Sequence, residues 1–133
     1  MIQLLKRASD MKKIILIVDD SKEIREIVKT TLDADLFKVY EASSGAKAIE
    51  SARKYKPDLI IMDVIMPGQI DGIDAISHIK NSEDSSGCQI IILTGSEQDR
   101  KDEGLAAGAV DFVYKPFSPL DLLEKIDQYL GMN

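Results

Sequence analysis

The chain has 133 residues, 44% of them hydrophobic, enough for one domain with an aliphatic core and no need of disulfides or structural metal. Lys and Arg number 17 against 23 Asp and Glu, a net charge of −6, which argues against tracking a nucleic-acid backbone. A single cysteine, Cys88, and a single histidine, His78, exclude an internal disulfide, a cysteine metal cluster and a multi-histidine metal site.

Residues 1–11 carry no clear pattern and read as an N-terminal extension to a domain over residues 12–130. The apolar run IILIV at 14–18 is too short for a signal sequence or a membrane span, so a soluble, cytoplasmic protein without membrane contact is expected. That run reads as the first strand. Ser21 and Glu23 then open a helix whose apolar face is Ile24, Ile27, Val28 and Leu32. A second strand over 37–41 leads to a weaker helix marked by Ile49 and Ala52, ending before Pro57. The third strand is the run LIIM at 59–62, followed by a helix opened by Gly72 and carrying Ile73, Ile76 and Ile79. The fourth, IIIL at 90–93, precedes a helix over 96–107 begun by Ser96 with Asp99 three residues on. A fifth strand over 110–114 is followed by a helix with Pro119 in its first turn and Leu120, Leu123, Ile126 and Leu130 on one face.

Three of the five strands are continuously apolar, the pattern of strands buried on both faces. The order βαβαβαβαβα therefore predicts an α/β fold with a five-stranded parallel sheet and helices on both faces. Ligands of such sheets bind outside the carboxyl ends of the strands. Asp19 and Asp20 follow the first strand, Asp63 the third, Thr94 the fourth and Lys115 the fifth. Taken singly, an Asp pair is most often a turn or cap, Thr94 a plain strand residue and Lys115 a solvated lysine. Together, three carboxylates, a hydroxyl and an ammonium converge on one edge. An all-oxygen cluster selects a hard cation, with Mg2+ the usual choice beside phosphate, and one carboxylate then serves as phosphoryl nucleophile. Asp63, on the expected central strand, is the best placed for that.

These residues resemble a receiver domain of the two-component response regulators. The resemblance rests on Asp19-Asp20 after IILIV, Asp63 in IIMDVIMP, Asp71-Gly72, Thr94-Gly95 after IIIL, and Lys115-Pro116-Phe117, and covers residues 12–130. It implies the flavodoxin-like strand order 2-1-3-4-5. It implies that Asp63 accepts a phosphoryl group from a phosphohistidine of a histidine kinase or histidine phosphotransfer protein. It further implies Mg2+ held by Asp20, Asp63 and the backbone carbonyl of Ile65, with Asp19 acting through water. Thr94 and Lys115 would contact the phosphoryl oxygens, and Phe112 would be the switch aromatic. The face of the fourth helix, fifth strand and fifth helix would then change its partner, a downstream protein target or an output domain, with a phosphorylation-dependent homodimer as one form of that change. A cis Lys115-Pro116 bond is also expected.

Two departures stand out. Gly68, Gln69 and Ile70 separate Pro67 from Asp71, one residue more than the family usually has. Ile65 is apolar and Ser96 small, so no side chain there is suited to activating water, and slow autodephosphorylation rather than dedicated enzyme activity is expected. A haloacid-dehalogenase-type phosphatase would need its two aspartates two apart after the first strand, and a flavin or nucleotide binder would not place DDSKE there. A receiver excised from a longer regulator or hybrid kinase, and a pseudo-receiver that only scaffolds, remain as alternatives.

Overall fold

A computed structural model describes residues 12–95 and 100–131. Five strands, β1 (Lys13–Val18), β2 (Phe37–Ala42), β3 (Leu59–Asp63), β4 (Gln89–Gly95) and β5 (Asp111–Lys115), alternate with five helices. These are α1 (Lys22–Thr31), α2 (Gly45–Tyr55), α3 (Gly72–Asn81), α4 (Lys101–Ala107) and α5 (Pro119–Leu130). All strand pairs are parallel and the order is β2-β1-β3-β4-β5. The flavodoxin-like order implied by the resemblance is thus the order observed.

The continuous apolar runs resolve into two faces, because successive strand residues point to opposite sides of the sheet. Leu16, Ile60, Met62 and Ile92 pack against Ala48 and Ala52 of α2 and Ile76 and Ile79 of α3. Ile15, Ile17, Ile61 and Leu93 pack against Val28 of α1 and Leu122 and Ile126 of α5. Each large aliphatic side chain removed from water in this way contributes about 1.5–3 kcal/mol to folding.

The helix termini follow their local chemistry. Ser21 Oγ accepts from the Ile24 N–H at 3.3 Å, Ser44 and Ser118 cap α2 and α5 in the same way, and Asp71 forms a reciprocal capping box with Asp74. Lys115-Pro116 is cis.

Several details correct the sequence reading. Asp63 and Lys115 close their strands and Thr94 is the last residue but one of its own, so all three lie within the strands rather than after them. Ile27 is 48% and Leu120 64% exposed, although both were expected on buried faces. At 100° per residue, Ile27 falls on the margin of the stripe centred on Val28, and Leu120 lies well off the Leu122–Ile126 line. Leu122, fully buried, holds the central place in α5. The fourth helix begins at Lys101, after the non-helical residue Arg100, which offers no side-chain cap. The expected Ser96 start with Asp99 lies outside the described residues, as does the N-terminal extension.

Candidate functional site

Parallel in-register pairing puts the carboxyl ends of the strands along one edge. Val18 is paired with Met62, Asp63 with Leu93, and Gly95 with Lys115. The residues that close or follow these strands therefore meet. Asp19 is 1% exposed, Asp63 5% and Thr94 1%, while Asp20 is exposed. Carboxylate oxygens of Asp19, Asp20 and Asp63 all lie within 4.8 Å of one another. Lys115 Nζ stands between two of them, 3.0 Å from Asp19 Oδ2 and 3.1 Å from Asp63 Oδ1.

Backbone donors complete the frame. The Ser21 N–H donates to Asp19 Oδ1 at 2.9 Å, and the Ile65 N–H donates to Asp63 Oδ1 at 3.3 Å. Gly72 lets the start of α3 lie directly on the end of β3: a Cβ there would overlap the Asp63 carbonyl oxygen and the Val64 backbone. Ile70, in the longer loop after Pro67, packs against Gly45 at the start of α2.

Burial is the main force on Asp63. Desolvation, reinforced by the nearby Asp19 charge, pushes its carboxyl up to about 6, with Lys115 and the Ile65 N–H pulling the other way. Burial of Lys115 works to lower its ammonium, but the charges of Asp63 and Asp19 outweigh it and hold the group above its ordinary value. Three carboxylates, two of them buried, thus stand against one ammonium, a condition a divalent cation relieves. A second observation concerns Thr94. Its Oγ1 is buried and has no hydrogen-bond partner among the described residues. A buried hydroxyl without an acceptor costs free energy, so Thr94 is poised to donate to an anionic oxygen arriving at the cluster. Both observations fit a hard cation together with an oxyanion at the same edge.

The expected residues take distinct positions. Asp19, Asp20, Asp63 and Lys115 form one cluster. Ile65 contributes its amide to Asp63, and its side chain is 45% exposed. Phe112 is half-buried on the α4 side, edge-on to Tyr114 with ring centroids 5.2 Å apart, and Lys101 Nζ lies 4.8 Å from its ring centre. Ser96 lies outside the described residues. Cys88 is buried and burial raises its thiol pKa, consistent with an inert small hydrophobe. His78 is on the exposed side of α3.

Four residues near the site carry contacts that sequence reading missed. Tyr114 pairs in register with Thr94, and Lys101 Nζ donates to its hydroxyl at 3.0 Å. Arg25 Nη1 donates to the Asp19 carbonyl oxygen at 2.7 Å, and its Nε donates to Glu41 Oε1 at 3.1 Å. For Tyr114 the strand period of two from Phe112 was an available signal. For Arg25 and Glu41 there was none, since their meeting depends on β2 pairing with β1.

Comparison with known proteins agrees with this geometry. The chain matches the response regulator receiver domain over residues 15–127, and so belongs to that family. It is 36% identical over 121 residues to the chemotaxis protein CheY of Halobacterium salinarum, covering 90% of this chain and 98% of CheY. It is 38% identical over 119 residues to the phosphate regulon transcriptional regulatory protein PhoB of Pseudomonas aeruginosa, covering 89% of this chain but 52% of PhoB. The chain thus spans nearly all of one relative and about half of the other. Among solved structures, the Vibrio cholerae chemotaxis response regulator CheY4 superposes with a TM-score of 0.80 at 33% identity, covering 89% of this chain and 98% of that one. The receiver domain of a Pseudomonas aeruginosa sensor histidine kinase, solved with a magnesium ion coordinated in its active-site cleft, gives 0.81 at 28% identity, covering 90% and 98%. No helix among the described residues is long and apolar enough to cross a membrane.

Proposed function

We propose that the chain is a phosphorylation-activated switch in which Asp63 accepts a phosphoryl group from a phosphohistidine of a histidine kinase or histidine phosphotransfer protein. The observation that carries this reading is the pairing of a buried Asp63–Lys115–Asp19 ion cluster with a Thr94 hydroxyl that has no partner among the described residues at the same sheet edge. An Asp63 carboxylate oxygen forms the bond to phosphorus as the P–N bond to the donor imidazole breaks, and the imidazole keeps the electron pair and takes up a proton. With its pKa at about 6, Asp63 is mostly ionised at neutral pH and ready to attack. Lys115 is already beside the acceptor oxygen and can follow the added charge, while the Thr94 hydroxyl gains a phosphoryl oxygen to donate to.

Asp20, Asp63 and the Ile65 carbonyl would hold Mg2+, with Asp19 acting through water; the magnesium in the related kinase receiver supports this choice. When bound, Mg2+ supplies charge neutralisation for the acid cluster and the phosphoryl oxygens. Movement of Thr94 would be passed to its strand neighbour Tyr114 and to Phe112, changing the α4–β5–α5 face and with it the protein partner. That partner is a separate cytoplasmic target, an output domain or a second phosphorylated copy. Phosphotransfer from phosphoramidate, whose P–N bond mimics the phosphohistidine, checks the acceptor: a phosphate-affinity gel shift is expected for wild type and none for Asp63→Asn. Labelling of Asp63→Asn to the same extent would contradict it.

The protein acts as an acceptor rather than a dedicated enzyme. Ile65 presents an apolar side chain beside Asp63 and offers no polar group to orient an attacking water. A long-lived phosphorylated form is therefore expected, with Ile65→Asn shortening its half-life several-fold. A short half-life that Ile65→Asn leaves unchanged would refute this part.

A further inference from the structure

Asp20 is the exposed member of the acid cluster, and its carboxylate has no hydrogen bond or ion pair among the described residues. Asp19, by contrast, is held at every polar atom. Its N–H donates to the Ala42 carbonyl at 3.2 Å, Oδ1 accepts from Ser21 and Oδ2 from Lys115. The remaining atom, its carbonyl oxygen, accepts from Arg25 Nη1 at 2.7 Å. That carbonyl belongs to the peptide joining Asp19 to Asp20, so its direction sets the plane from which the Asp20 side chain departs. Arg25 is in turn held by Glu41 at 3.1 Å, and Glu41 also receives Lys29 at 3.7 Å; only 15% of the Arg25 side chain is exposed. The Arg25–Glu41 pair is close to neutral as a unit, which makes its effect on the cluster geometric more than electrostatic.

We infer that Arg25, held by Glu41, is a positioning residue for the acid cluster: it fixes the Asp19–Asp20 peptide so that the otherwise unbraced Asp20 carboxylate meets Asp19 and Asp63. The consequence for Mg2+ rests on the metal-site reading above, whereas the consequence for the Asp19–Asp20 peptide does not. A guanidinium can serve both partners because its donors form a rigid fork; a lysine ammonium at this position can satisfy one of them. Groups that orient ligands rather than touch the ion commonly govern its affinity by one or two orders of magnitude.

The test uses the full chain and two readouts. Calorimetric titration with Mg2+ is run on wild type, Arg25→Ala, Arg25→Lys and Glu41→Ala, with Val28→Ala as a control that loosens α1 without touching the acid pair. Arg25→Ala is expected to weaken Mg2+ binding roughly tenfold or more, with Arg25→Lys and Glu41→Ala between it and wild type. Val28→Ala is expected to lower the melting temperature and leave the affinity unchanged. In parallel, the backbone amide resonance of Asp20 is followed in chelator, and it is expected to move in Arg25→Ala and stay in Val28→Ala. Unchanged Mg2+ affinity in Arg25→Ala, or equal losses in Arg25→Ala and Val28→Ala, would overturn the inference. Wild type that takes up no Mg2+ would overturn the metal-site reading instead, and the Asp20 resonance would then decide the positioning role alone. Should Arg25→Ala fail to fold, Glu41→Ala, altered only at the sheet edge, carries the same two comparisons.

Discussion

Asp63 carries a cost that the rest of the fold bears. Its carboxyl ordinarily titrates near 3.8 and here does so at about 6, chiefly because it is buried and secondarily because Asp19 is beside it. The native state therefore holds its proton more tightly than the unfolded chain does. The sign follows: this residue's contribution to stability falls as pH rises from about 4 to 6 and stays low above that. The penalty is at most about 3 kcal/mol. Asp63→Asn, measured by thermal unfolding in chelator, is thus expected to be more stable than wild type at pH 7.5 and nearly equal to it at pH 4. A variant that is less stable at pH 7.5 would show that the Lys115 ion pair outweighs desolvation. The residues of the acid cluster, Thr94 and Lys115 were legible in the sequence because each stands at or just beyond the carboxyl end of a strand, where the parallel topology alone brings strand ends together. Arg25 and Glu41 were not, because 16 residues separate them and only the pairing of β1 with β2 and the side-chain reach of Arg25 join them.

At the scale of elements, the surroundings of Asp63 are set by close backbone packing and by one ionic contact between neighbouring segments. Gly72 is the closest approach, since α3 begins against the Asp63 and Val64 backbone. Gly72→Ala improves helix propensity by up to about 1 kcal/mol, yet its methyl meets main chain that cannot rotate away. A net loss of about 1–3 kcal/mol is expected from denaturant unfolding; a stabilised variant would contradict the packing. Arg100, ahead of α4, reaches Asp71 at 3.0 Å and Glu103 at 2.7 Å. Burial of Asp71 works to raise its pKa, but the Asp74 N–H and Arg100 outweigh it and hold it below the ordinary range. The contact lies near the surface, so Arg100→Ala should cost less than about 1 kcal/mol overall. Because α4 has seven residues and no side-chain cap, the loss should be concentrated there. Faster amide hydrogen exchange at Gly104 and Leu105 with little change in melting temperature is the expected result. A uniform change across all helices would contradict a local brace. Helix faces were the less legible part of the fold. Leu120 and Leu122 are equally apolar, and which of them is buried depends on the rotation of α5 over β1 and β3. Strand runs needed no such detail, since both of their faces are covered.

The whole molecule joins a rigid part to a part with an unmet need. The sheet interior is fully buried on both faces, whereas the carboxyl edge holds excess negative charge, a hydroxyl without a partner among the described residues, and the Phe112–Tyr114 pair one strand away. On the proposed reading, a dianionic group arriving on Asp63 with a cation would meet both needs together and start a wider change in the α4–β5–α5 face. The most direct measurement is intact mass after incubation with acetyl phosphate and Mg2+, on wild type and Asp63→Ala in parallel, each repeated with chelator. A gain of one phosphoryl group in wild type alone, lost in chelator, is the predicted result. No gain in wild type, or an equal gain in Asp63→Ala, would contradict it and leave the chain a scaffold with the residues of a switch.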